Sequence, residues 1–353
     1  MKARALVFSA FALTAPSLTR AQGHVHASSA EHSRLGSVVF ANSGAAAAQA
    51  DFLRGVALLH SFEYEDAAKA FKAAQHADPN FALAYWMEAL TYRHPLWGQE
   101  ALDDARTALK PLGSSTEARL ARAKTSRERA YGAAVEALFA EGAEGDRIRA
   151  FAQAMRGVAD EYPLDLEASA FASLAALGLW AQLPRAAGVA EVESAIRYAQ
   201  RVFERNPKHP GASHYLIHAY DNPARAEQGL TFAREYAEIA PDAEHAVHMP
   251  SHIFLQLGLW DDVVTSNERA WAASRAWVAR NKLPNTDSDF HSFTWLQYAY
   301  LQQGRYKAAR GLIDTLNVLF KGTDFGKEFS DASMVGPDLT FKYRLATGDW
   351  SDI

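Results

Sequence analysis

The sequence predicts an all-α protein built as a row of antiparallel helical hairpins, and three observations carry that expectation. From Ala48 onward apolar residues recur at helical spacing almost without interruption. The helical runs, about 14 residues each, are separated by Pro or Gly. No stretch alternates apolar and polar residues as a half-buried strand would.

Composition narrows the chemistry before any motif is read. The chain has 353 residues, 49% of them hydrophobic and 22% charged, with a net charge of −5, which is the profile of a folded globular protein. Lys and Arg number 36 against 41 Asp and Glu, so there is no surplus of positive charge to displace the counterions of a nucleic acid. The complete absence of cysteine removes disulfides, thiolate metal sites and thiol nucleophiles together. Reactions must therefore run on histidines, carboxylates, hydroxyls or a bound ion.

Residues 1–22 read as a cleaved signal peptide. Lys2 and Arg4 precede an apolar run over residues 5–16 that is too short to span a bilayer, and small residues follow at 21–23. The mature chain is then expected in the periplasm or secreted, with no membrane span. Residues 23–47, rich in Gly, Ser and Ala and carrying His24, His26 and His32, are expected to form a flexible segment ahead of the helical array over 48–353.

The first hairpin sets the ruler. In AQADFLRGVALLHSFEYEDAAKAFKAAQHADPNF, counting Ala48 as position 1, Gly55 falls at 8, Tyr64 at 17, Ala67 at 20, Phe71 at 24, Ala74 at 27 and Pro79 at 32. This pattern of small residue, aromatic, small, aromatic, small and proline resembles a tetratricopeptide repeat. Small residues at 8 and 20 let the two helices touch, and the aromatics fill the space between hairpins. Further repeats start at Ala82, Leu166, Pro210, Glu244 and Phe290, and Gly258 and Gly304 both fall at position 15. Residues 97–130 match poorly, and a long connection is expected over 276–289. The blocks HYLIHAYD and HAVHMPSHIF also resemble those of exported bacterial tetratricopeptide proteins, a resemblance that spans most of the chain and carries no activity with it. The final stretch looks like a first helix and its turn without a partner helix. Such a half hairpin implies either a truncated chain or a homo-oligomer contact.

The resemblance implies a right-handed superhelical α-solenoid whose first helices line a concave groove, with positions 2, 5, 9, 12 and 13 facing inward. On that ruler His214 and His218 fall at 5 and 9, His245, His248 and His252 at 2, 5 and 9, and His291 at 2. Taking positions 2, 5 and 9 of the six first helices, composition alone would place about 0.7 histidines there, and six occur. His214 with His218, and His248 with His252, are i, i+4 pairs that share a helix face and can hold one ion. Neutral imidazoles suit a transition metal such as zinc, copper or iron, without selecting among them. Asp221 and Glu167 are the expected catalytic carboxylates, as ligand, orienting partner or general base. His60 and His94 at position 13, Trp86 and Phe52 at position 5 and Tyr298 at position 9 are expected to form a groove wall for substrate. Pro250 is expected to kink or begin its helix. The sequence thus points to a metal-binding groove protein, with or without catalysis on a small molecule or peptide. Its rival is a metal-free scaffold that holds a peptide or partner protein. A serine hydrolase has no G-x-S-x-G to stand on.

Overall fold

Helices begin where prolines and small residues place them in the computed structural model, which describes residues 34–184, 187–325 and 331–350. The expected signal peptide and His24, His26 and His32 lie outside the described residues. In order, the chain forms α1 (Gln49–His60), α2 (Tyr64–Ala77), α3 (Ala82–Leu90), the strands β1 (Arg93–His94) and β2 (Gln99–Glu100), α4 (Leu102–Leu109), α5 (Thr116–Leu120) and α6 (Ser126–Leu138). It continues through α7 (Glu144–Glu161), α8 (Leu166–Ala181), α9 (Val189–Arg205), α10 (Pro210–Tyr220), α11 (Ala226–Ile239), α12 (Glu244–His248) and α13 (Pro250–Gln256). It ends with α14 (Trp260–Asn281), α15 (Phe290–Gln302), α16 (Tyr306–Leu319) and α17 (Asp331–Thr347). The architecture is all-α apart from the short hairpin, in which Arg93 pairs with Glu100 and His94 with Gln99.

Local chemistry explains the boundaries. Asp165 and Asp289 accept backbone N–H groups at the starts of α8 and α15, as N-caps do. Pro210 sits in the first turn of α10, and Pro250 divides what would be one helix into α12 and α13. Gly258 and Gly304 take φ of +70° and +68° at the hairpin turns, the left-handed conformation that closes a helix C-terminus. The connection expected over 276–289 is shorter than anticipated, because α14 continues to Asn281 and stops only where Lys282 turns left-handed.

Neighbours in sequence are neighbours in space. The helices α1 and α2 pack together, each helix from α6 to α11 packs on the next, and α12 and α13 lie against both α11 and α14. Gly55 shows why small residues are demanded: a Cβ there would stand 2.7 Å from the Phe71 ring. One departure from a neighbour-only array matters for function. The C-terminal end of α1 reaches α10, and residues 61–63 between α1 and α2 meet α10 and the start of α12.

The segment ahead of α1 is not loose where it is described. The Arg34 and Asp242 backbones and side chain bond one another, Asn206 donates to the Ser37 carbonyl at 2.7 Å, and the Ser43 N–H and hydroxyl both donate to Glu128. Phe40, 3% exposed, is wedged among Phe52, Tyr131 and Phe171. From Arg34 onward the segment expected to be flexible is instead a packed strap, which buries aromatic surface that the array would otherwise leave open. Phe40→Ala is expected to lower unfolding free energy by about 3–5 kcal/mol, read as a lower urea midpoint. A change under about 1 kcal/mol would mean that the strap is dispensable.

Candidate metal centre

The six histidines assemble in two groups of three. One ring nitrogen from each of His214, His218 and His245 lies within 4.8 Å of the others, and the same holds for His248, His252 and His291. The groups adjoin: the His218 and His252 ring centroids are 5.9 Å apart, and those of His245 and His248 6.1 Å. Helix pitch accounts for the pairs, since residues four apart on α10 share a face. The second pair survives the break at Pro250 because Met249 keeps helical dihedrals (φ −52°, ψ −36°).

Outer partners orient the rings. His214 Nδ1 donates to the His60 carbonyl at 2.6 Å, which directs its Nε2 to within 3.1 Å of His218 Nε2. His248 Nδ1 donates to Asn267 Oδ1 at 2.7 Å, and the Asn267 amide is fixed by its own bond to the Val263 carbonyl. His252 Nδ1 donates to Asp221 Oδ2 at 2.7 Å, and Gln256 steadies the other carboxylate oxygen. The Nε2 atoms of His248 and His252 then face each other at 3.2 Å. Two nitrogens bound at about 2.0–2.1 Å to one tetrahedral ion stand roughly 3.3–3.4 Å apart, so both pairs have a chelating separation. In neutral rings whose Nδ1 atoms both donate, the facing Nε2 atoms both carry lone pairs. Only a proton or a cation relieves that contact.

Burial sets the protonation state. Desolvation, reinforced by the other imidazoles, pushes His218 and His245 well below the ordinary histidine value, and burial brings His214 and His248 to about 3. Four of the six rings are therefore neutral at physiological pH, the state a metal requires. His291 is exposed and opens the second group to solvent.

Beside the histidines lies a cavity of about 240 Å³ whose wall includes the carboxylates of Glu63, Asp66, Glu244 and Asp289 and the rings of Phe62 and Trp97, with no Lys or Arg. Burial raises Glu63 to about 7. Burial and the adjacent Asp289 hold Glu244 well above the usual carboxylate range.

The remaining expected residues divide. Asp221 is where its spacing suggested, at the end of α10, and acts on His252 as an orienting acceptor. Glu167 is not at an accessible face: it is fully buried, accepting from His60 Nε2 at 2.8 Å and His209 Nε2 at 3.1 Å. His60 is equally buried, with Tyr215 on its Nδ1, and so belongs to the interior rather than to a groove wall. Although His60, Glu167 and His209 could span an ion, their ring-to-carboxylate contacts are already hydrogen bonds. Phe52 and Trp86 are core side chains with no exposed surface, Trp86 donating to Glu136 at 3.1 Å. Each lies on a helix whose expected inward face is covered, Phe52 by Phe40 of the strap and Trp86 by α6. His94 sits in β1 rather than on a helix, stacks on Tyr64 at 3.9 Å and lines the acidic cavity. Tyr298 lies half-exposed against Trp260.

Sequence reasoning missed Phe62, whose ring packs 4.3 Å from that of His214, and Trp295, 4.5 Å from His252. Trp295 follows His291 by one turn on α15 and had a legible signal in that i, i+4 spacing. Phe62 had none, because a turn residue carries no periodicity. No protein-family model matches the chain, and no curated protein matches it.

Burial pushes the Glu167 carboxyl up, but His209 and His60 outweigh it and hold it at about 2 against an ordinary 4.5. Its ionised form therefore stabilises the fold above pH 4.5, and that contribution is lost as pH falls from 4.5 to 2. Glu167→Gln should remove this acid-dependent part of stability, lowering the unfolding free energy at pH 7 by about 1–3 kcal/mol while flattening its slope below pH 4.5. Unchanged acid unfolding curves would refute the assignment.

Proposed function

We propose that this chain is an exported tetratricopeptide-like solenoid that binds a transition metal through His214, His218, His245, His248, His252 and His291, and that the metal serves chemistry on a small molecule. One observation carries the reading. The His248 and His252 Nε2 atoms face each other at 3.2 Å while Asn267 and Asp221 occupy the far nitrogens of both rings. Histidines that bind metals are held in this way, with the second nitrogen donating to a carboxylate or carbonyl. An all-nitrogen donor set suits zinc, copper or iron.

Export rests on the charged, apolar and small-residue order of the first 22 residues. The solenoid reading rests on the repeat register and on consecutive helices that pack together. The acidic, aromatic-walled cavity beside the histidines supports a small substrate. The rival scaffold needs an open channel for an extended peptide. Against it, residues 61–63 lie on the histidine face, with Phe62 packed against His214, His218 and His245.

Protein purified without a polyhistidine tag and incubated with zinc, copper and iron should retain at least one equivalent of metal after gel filtration. His252→Ala should lose at least half of it with an unchanged circular dichroism spectrum, since His252 is only partly buried. Less than a tenth of an equivalent on the parent protein would end the metal reading.

A further inference from the structure

Six imidazoles are more than one ion can use, because zinc and copper sites close at about four ligands. Their arrangement is also bipartite. Each group contains one i, i+4 pair at chelating distance, 3.1 Å for His214 and His218 and 3.2 Å for His248 and His252. Each group adds a third histidine from another element: His245 from α12 to the first, and His291 from α15 to the second. Separate acceptors anchor the two pairs, the His60 carbonyl for the first and Asn267 with Asp221 for the second. The His245 Nε2 atom is buried without a hydrogen-bond partner, as an unused ligand position would be.

The groups are nevertheless one unit. His218 and His252 meet edge to face at 5.9 Å, and His245 and His248 lie at 6.1 Å. Asp221 ends the helix that carries His214 and His218, yet it holds His252 of the other group, so one side chain links the two. We infer that each chain binds two transition-metal ions, one in each three-histidine group, as a dinuclear centre that shares one small bridging anion such as hydroxide. Neutral rings leave the full positive charge of two ions in a largely buried place, and an anion between them offsets their repulsion. Three protein ligands on each ion leave the position that such a bridge occupies.

The inference rests on the metal reading proposed above, and copper separates the two. Metal-free, tag-free protein is titrated with Cu(II), with a His214→Ala/His248→Ala double variant as the blank for copper held elsewhere on the chain. The expected result is two equivalents above the blank with an electron paramagnetic resonance signal accounting for well under half of the bound copper, since bridged Cu(II) ions couple their spins. His291→Ala, whose side chain is exposed and carries little packing, should fall to one equivalent and gain the full signal of an isolated ion. His245→Ala should do the same from the other group. One equivalent on the parent protein, or two with a full spin count, overturns the dinuclear inference and leaves the metal reading intact. So does a His291→Ala variant that keeps both ions or loses both. No uptake above the blank overturns both readings.

Discussion

The structure depends on one carboxylate. Glu167 on α8 accepts hydrogen bonds from His60 at the end of α1 and from His209 at the start of α10, all three without exposed surface. Leaving any of these groups unpaired in so dry a place would cost several kcal/mol, so the three elements are bound to one mutual geometry. The Tyr215 hydroxyl completes the node on His60 Nδ1. Because the His60 carbonyl in turn receives the Nδ1–H of His214, the node fixes the tautomer and direction of the first candidate ligand. A buried structural cluster and a candidate metal group are thus joined through a single backbone carbonyl.

The division of labour between the two kinds of histidine follows from what faces them. His60 and His209 each place Nε2 on the Glu167 carboxylate, and although His209 Nδ1 is left without a partner the region is closed to solvent. The six others find mainly one another. Crowding neutral rings whose lone pairs converge is unfavourable for an empty protein and useful for one that holds cations. The acids near them sit outside the ring cluster: Asp221 behind His252, and Glu244 and Asp289 on the wall of the cavity. The carboxylates therefore tune and flank the imidazoles.

Much of this was legible in the sequence, and the limits have physical causes. Helix starts were readable because Pro, Gly and capping Asp act locally, and the convergence of the histidine pairs was readable because helical spacing is periodic. The covering of Phe52 by Phe40 was not, since it depends on a strap with no regular structure. Nor was the burial of His60 and Glu167, because the repeat ruler assumes that each hairpin touches only its neighbours, whereas α1 touches α8 and α10 across more than a hundred residues. The same ruler placed His94 on a helix, where the chain instead forms the β1 and β2 hairpin.

Position 15 of the repeat register shows how one turn was fitted to the histidine cluster. In the Glu244 and Phe290 repeats this position is glycine, Gly258 and Gly304, at the left-handed turn that ends a helix. In the first repeat it is Phe62, which adopts the same turn at φ +60° and makes the same backbone bonds, its N–H to Leu59 and that of Glu63 to Leu58. An aromatic residue in that conformation costs about 1–2 kcal/mol that glycine would not. The compensation is visible in what the ring does: it packs against His214, His218 and His245 and keeps water from one side of the first group. A turn built only for stability would carry glycine, whereas here the backbone strain is offset by a ring that closes one side of the first histidine group.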